Sequence, residues 1–171
     1  MLGQDIALLL KLSLFAEKRV LSSRLAAELF MVPSEVSKAL HRCEHAGLLS
    51  RTGYEKRVNR AGLVEFIVHG LRYAFPPERG PLTRGIPTGA SAEPLKLCLT
   101  DDGEPPQVWP YADGKLRGLA FSPLYKGAPR AALLDSRFYE LLALCDSIRG
   151  GRVRERTLGI EKITKAVLNG L

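Results

Sequence analysis

The sequence predicts a mainly α protein, and three observations point there. Apolar residues recur at helical spacing near both ends of the chain, between Gly3 and Ala74 and again between Asp135 and Asn169. A short strand–turn–strand pattern around Thr52 to Glu55 interrupts the first of these regions. Between them, ten of the eleven prolines fall from Pro76 to Pro129 with seven glycines, a composition that breaks regular elements. The 171 residues therefore divide into 1–75, 76–129 and 130–171, the last a helical hairpin for packing or dimerisation.

The first helix is expected over Gly3 to Lys18, with Asp5 favouring its N-terminus. Ile6, Leu9, Leu10 and Leu14 form one stripe, and Leu8, Leu12 and Phe15 widen it past a single face. Such a helix must be covered on two sides. One cover is the next pair of helices; the other is the C-terminal part of the chain or a second subunit. Ser22 and Ser23 offer N-caps for the following helix.

The organising stretch is Leu25 to Leu49, LAAELFMVPSEVSKALHRCEHAGLL, two short helices joined by a tight turn. In the second helix, over 33–46, Val36, Ala39, Leu40 and Cys43 share one side. Ser34, Ser37, Lys38, His41, Arg42 and His45 share the other. Pro33 suits the first turn, and Gly47 suits the position just past the end. After it, Leu48 to Arg51 and Lys56 to Val58 flank a polar tip, Thr52 to Glu55. That is the shape of a small β-hairpin, with a solvated basic loop as the competing reading.

Asn59 can cap a further helix from Arg60 to Ala74, which Pro76-Pro77 ends. In the proline-rich segment, Leu95 to Leu99 and Gln107 to Trp109 are strand candidates. Asp101-Asp102-Gly103 and Asp113-Gly114 are turn signals. Trp109, Tyr111, Leu116, Phe121, Leu124 and Tyr125 are too apolar for a disordered linker, so an ordered, mostly irregular segment is expected. Asp135 or Ser136 caps the next helix, with Phe138, Leu141, Leu142, Cys145 and Ile148 aligned and Gly150-Gly151 ending it. The last helix, about Val153 to Asn169, aligns Val153, Ile160, Ile163 and Val167. Arg152, Arg154 and Arg156 at its start have the wrong sign for the helix dipole. They are a solvated basic turn, or they answer carboxylates such as Asp146 or Glu155, or a partner.

The order L-A-A-E-L, then P-S-E-V-S-K-A-L, then E-x-A-G-L-L resembles the core of bacterial winged helix-turn-helix regulators of the MarR-like kind, over about 25 residues. Two positions depart from that pattern: Phe30 stands where the turn often has Gly, and Val32 where a Ser or Thr cap is usual. A turn of different shape and an uncapped second helix are the expected consequences. The segments VEFIVHGLRYAFPPERGPLTRGIPTGASAEPL, VWPYADGKLRGLAFSPLYKG and GGRVRERTL resemble a group of small bacterial winged-helix proteins without an assigned role. Members of such groups are sometimes antitoxin-like. The fold class expected is thus mainly α: an N-terminal winged helix-turn-helix with a small β-hairpin wing, a Pro/Gly-rich irregular segment and two C-terminal helices.

Composition bounds the function. A hydrophobic content of 46% with 25% charged residues is that of an ordinary soluble globular chain. No apolar run is long enough to span a membrane. The apolar Met1 to Phe15 stretch contains Asp5 and Lys11 and makes a poor signal peptide. Cys43, Cys98 and Cys145 are far apart and are expected as reduced thiols in a cytoplasmic protein. The net charge is +7, and from Ser34 to Arg60 six basic residues face Glu35, Glu44 and Glu55. That excess of three fits a phosphate-backbone footprint.

Catalytic candidates are thin. His41 and His45 face away from Cys43, so they do not meet on one metal. Arg84 to Ser91 lacks the spacing and lysine of a phosphate loop. No enzyme activity, metal or cofactor is expected. The expected function is sequence-specific binding of double-stranded DNA by a homodimeric transcriptional repressor. Its contacts are Ser34, Glu35, Ser37, Lys38, His41 and Arg42 on the helix, and Arg51, Tyr54, Lys56 and Arg57 on the wing. The competing class is a protein-interaction module or an antitoxin that neutralises a partner such as a nucleotidyltransferase toxin.

Overall fold

The computed structural model describes residues 1–16, 19–99 and 103–169. Helices predominate, with two small sheets. The N-terminal elements are α1 (Gly3–Leu14), α2 (Ser22–Leu29), α3 (Pro33–His45), the strands β1 (Leu49–Thr52) and β2 (Glu55–Val58), α4 (Arg60–His69) and the single turn α5 (Leu71–Ala74). Then come β3 (Arg79–Pro87), β4 (Gln107–Pro110), β5 (Leu116–Phe121), α6 (Ala128–Leu134), α7 (Ser136–Gly150) and α8 (Val153–Asn169).

A helix that is apolar all round must be covered all round, and α1 is covered by its own chain. Every residue from Asp5 to Ser13 is buried. The neighbours of α1 are α2, α3, β2 and α4 from the first 75 residues and α7 from the C-terminal part. Leu8 is 0% exposed and Leu12 6%. The surface expected to meet a second subunit is therefore closed within one chain, and it gives no motive for a dimer on α1. The helix is also shorter than expected: Phe15 is extended and ends it, and Lys18 lies outside the described residues.

Two ionised side chains sit in this apolar setting. Asp5 accepts two hydrogen bonds from Arg42 of α3, at 2.8 and 2.7 Å. Lys11 is 3% exposed, with its Nζ 2.7 Å from Glu28 of α2 and 2.6 Å from Asp135, the N-cap of α7. The Phe15 and Phe138 rings flank the same ammonium at 5.8 and 5.3 Å. Burial is the largest single influence and would raise the Glu28 and Asp135 carboxyls, but Lys11, joined by Arg24 at Glu28 and by the Phe138 and Arg137 amides at Asp135, outweighs it and holds both below their ordinary values.

The second buried helix is α7, whose residues Leu141 to Arg149 are all buried. It contacts α1, α4, α5, α6 and α8, so one hydrophobic core runs through the whole chain. Its Asp146 accepts hydrogen bonds from Thr88 (2.7 Å), Trp109 (2.6 Å) and Arg149 (2.5 Å). Arg149 also donates to the carbonyls of Phe75 and Ser122. Burial pushes the Asp146 carboxyl upward, against the pull of these donors.

The proline-rich segment holds more regular structure than expected. β3 pairs antiparallel with both β4 and β5, and β4 runs parallel to β5, so three strands close on themselves. Glycines permit the tight closure: a Cβ on Gly85 would lie 2.0 Å from the Trp109 carbonyl oxygen, and one on Gly118 2.1 Å from that of Pro106. Pro87 and Pro110 end their strands, and Pro81 lies at the register shift between Arg79 and Leu82. Leu95 to Leu99 is not a strand; its centre is a 3-10 turn, with Leu95 buried and Leu97 81% exposed. The Asp101-Asp102 turn signal lies outside the described residues.

Several end signals behave as read. Asn59 accepts from the Gly62 amide at 3.0 Å, and Asp135 from that of Phe138 at 3.1 Å. Others differ. Leu21 occupies the N-cap of α2 with no side-chain bond, and Ser22 is already helical. The helix from Arg60 breaks at Gly70, where backbone freedom is greatest. On α8 the buried set is Gly159, Ile163 and Val167, with Val153 71% exposed. Arg152 pairs with Glu104 at 2.5 Å while its amide donates to Glu155, and Asp146 is held by Arg149 instead. Of the three cysteines, all free, Cys98 is exposed. No helix among the described residues is long and apolar enough to cross a membrane.

Two consequences are measurable. Carboxylates with lowered folded values contribute stability above the ordinary carboxylate range, and that stability is lost as pH falls through their folded values. Lys11→Met therefore lowers the melting temperature near neutral pH. Its deficit shrinks on acidification from about pH 6 to about pH 3; parallel melting curves for the two proteins contradict the Lys11 pairing. Leu12→Glu places an unpaired carboxylate in the core and unfolds the chain outright rather than splitting a dimer. A folded, monomeric Leu12→Glu protein by circular dichroism and light scattering contradicts the enclosed α1.

Candidate nucleic-acid interface

The turn between α2 and α3 is made by Phe30, whose backbone is left-handed at φ 51° and ψ 45°. Glycine adopts this region freely and a bulky residue seldom does. Phe30 thus takes up the backbone conformation that a glycine adopts freely. The Met31 amide closes the turn on the Ala26 carbonyl at 3.0 Å. Val32 gives α3 no side-chain cap, as its apolar side chain requires, and Pro33 occupies the first helical turn.

One side of α3 is wholly internal. Val36, Ala39, Leu40 and Cys43 are buried, facing α1. Burial pushes the Cys43 thiol up to about 12. The end of α3 is closed by Gly47 at φ 71°: its amide donates to Glu44 at 2.9 Å, and the Leu48 amide to Cys43 at 3.0 Å. The chain then enters the β1–β2 hairpin, paired from Leu49↔Val58 to Thr52↔Glu55 with Gly53 and Tyr54 at the tip.

The other side of α3 is exposed at Ser34, Ser37, Lys38, His41 and His45. Tyr54 is 75% exposed on the hairpin. The nominated charged residues are less free than the sequence implied. Lys38 lies 3.2 Å from Glu35, which also accepts from Gln4 at 2.9 Å; those bonds hold the Glu35 carboxyl below its ordinary value. Arg51 pairs with Glu44, and Arg57 with Glu55 at 3.2 Å. Lys56 turns inward and donates to the Val20 carbonyl; burial, aided by Arg51, lowers its pKa.

Arg42 departs furthest from a groove-facing role. Its guanidinium is engaged with the fully buried Asp5, so it fixes α3 on α1. The residues that remain outward and able to touch a ligand are Ser34, Ser37, Lys38 and His41 on α3, with Tyr54 and Arg57 on the hairpin. Among the described residues no three His, Cys, Asp or Glu side chains are placed to hold one ion.

One residue beside α3 had no signal in the local sequence. The Arg130 guanidinium of α6 stacks 4.1 Å from the centre of the Phe30 ring, joining positions a hundred residues apart.

Arg42→Ala leaves a buried carboxylate without its counterion, a loss of about 3–5 kcal/mol in stability. Lys38→Ala, at a side chain 65% exposed, leaves melting unchanged. Thermal denaturation of the two proteins side by side checks this. Equal melting temperatures for both would return Arg42 to the surface.

Comparison with protein-family models, curated proteins and solved structures finds no match to this chain.

Proposed function

We propose that the chain is a sequence-specific regulator that binds double-stranded DNA as a winged helix-turn-helix. In this reading α2 and α3 are the helix-turn-helix, α3 enters the major groove, and the β1–β2 hairpin is the wing. The observation that carries it is the division of α3: four apolar residues packed inward, and Ser34, Ser37, Lys38 and His41 all outward. Short hydroxyls near the helix start permit close approach to base edges. Lys38 and His41, a turn further along, reach bases or phosphates. Exposed Val32 and Pro33 can meet a thymine methyl. Tyr54 and Arg57 reach from the wing toward the flanking backbone. A repressor of this kind acts as a homodimer, with two α3 helices about one DNA turn apart. Its pairing surface falls elsewhere than on α1.

One observation favours a second reading. Lys38, Arg51 and Arg57 each hold a carboxylate of the same chain, which reduces the free charge presented to phosphates. A protein-interaction module, such as an antitoxin that neutralises a toxin, needs less of that charge.

Fluorescence anisotropy with a labelled duplex from the DNA upstream of the chain's own reading frame separates the two. DNA binding weakens steeply between about 50 and 200 mM salt. Lys38→Ala lowers affinity by about tenfold. Arg57→Ala lowers it evenly on specific and scrambled duplexes. A parent protein that binds neither duplex at low salt removes the DNA reading and leaves the protein partner.

A further inference from the structure

Among the described residues at the turn into α3, Arg130 is a cation with no carboxylate partner, and it comes from the far half of the chain. Resting on the DNA-binding reading above, we propose that Arg130, stacked on Phe30, contacts a DNA phosphate and completes the interface from α6.

The placement of Arg130 is built by several packed contacts. The Tyr125 hydroxyl donates to the Leu29 carbonyl at 3.0 Å. Gly127 sits so near the end of α2 that a Cβ there would be 2.6 Å from the same carbonyl oxygen. Gly3, at the start of α1, is packed as closely on the Leu124 carbonyl. These contacts fix 124–130 against the end of α2 and the start of α1. Gln4 of α1 in turn bonds Glu35 in the first turns of α3. Arg130 is therefore held over Phe30, in the turn three residues before α3 begins at Pro33.

Its charge is available there. Arg130 is exposed, and among the described residues its side chain lies over the Phe30 ring and meets no carboxylate. The nearby carboxylates are engaged elsewhere: Glu28 by Lys11 and Arg24, Asp135 by Lys11. Lys126, also exposed, adds a second cation on the same segment. At the other end of α3, by contrast, Arg42 and Arg51 are paired with Asp5 and Glu44.

A guanidinium whose carbon lies over a ring centre uses none of its N–H groups on a hydrogen-bond acceptor there. A phosphate can accept two of them. Stacking also limits the side chain's freedom before binding, so less is lost when the contact forms. It further explains why a phenylalanine occupies a left-handed turn position: its ring is the platform.

The test uses the full chain, the labelled upstream duplex and a scrambled duplex of equal length. Arg130→Ala is expected to weaken binding to both by roughly three- to tenfold and to lower the log–log salt slope by about one. Arg130→Gln keeps a planar group over Phe30 without the charge and shows the same loss at an unchanged melting temperature. Arg130→Lys, which restores the charge, recovers the slope. Parent-like affinity and slope in Arg130→Gln, while Lys38→Ala still weakens binding, overturn the Arg130 contact and leave the DNA reading intact. A loss confined to one duplex at constant slope also overturns it. Failure of the parent to bind either duplex overturns both.

Discussion

A buried helix can carry ionised groups only where counterions are delivered to it, and α1 carries two. Asp5 receives Arg42 from α3; Lys11 receives Glu28 from α2 and Asp135 from the cap of α7. Each pair crosses a boundary between helices. Apolar surfaces alone tolerate a shift of one helix along another, because many packings bury similar areas. A buried charge does not, since displacement by a few ångströms leaves it uncompensated at about 3–5 kcal/mol, comparable to the whole stability of a small domain. These pairs fix the register of α2, α3 and α7 on a common axis.

The same device recurs on α7. Asp146 draws Thr88 from the end of β3, Trp109 from β4 and Arg149 from its own helix into one buried cluster. Arg149 extends that cluster to the carbonyls of Phe75 and Ser122. The closed three-stranded sheet is thereby tied to the helix that packs on α1. The α3 surface and the sheet are separated by two buried helices, yet both are positioned by charge pairs on those helices.

Local signals explain what the sequence disclosed. The period of α3, Pro33, Gly47 and Asn59 each act within one or two turns, so the two-helix turn, the hairpin and the start of α4 were legible. The ordered character of the segment holding Trp109 and Phe121 was legible too, and both are buried. What stayed hidden depends on distance along the chain. Arg42 looks solvent-facing by helical period, and only the arrival of Asp5 from 37 residues away turns it inward. Leu12 looks like a dimer surface, yet the elements packed round α1 leave it 6% exposed. The closed sheet was missed because proline and glycine were read as breakers. Here Pro87 and Pro110 sit at strand ends, and Gly85 and Gly118 lie where a Cβ would collide with the neighbouring strand.

Pairing within the chain also divides the labour across the candidate interface. A helix that both reads bases and supplies phosphate contacts must leave its cations unengaged, which makes its seat on the core depend on apolar packing alone. In this chain Arg42 seats α3, and Glu35, through Gln4 and Lys38, holds the adjacent turn. In the DNA-binding reading that leaves two short hydroxyls, Ser34 and Ser37, beside Lys38 and His41 on the outward side, with little unpaired charge for long-range attraction. In the same reading the attraction falls to cations seated on other elements: Arg57 on the hairpin, Arg130 and Lys126 beside the turn. In the DNA-binding reading proposed above, affinity and specificity fall to different parts of the fold, and α1 seats α3 through Asp5 and Gln4.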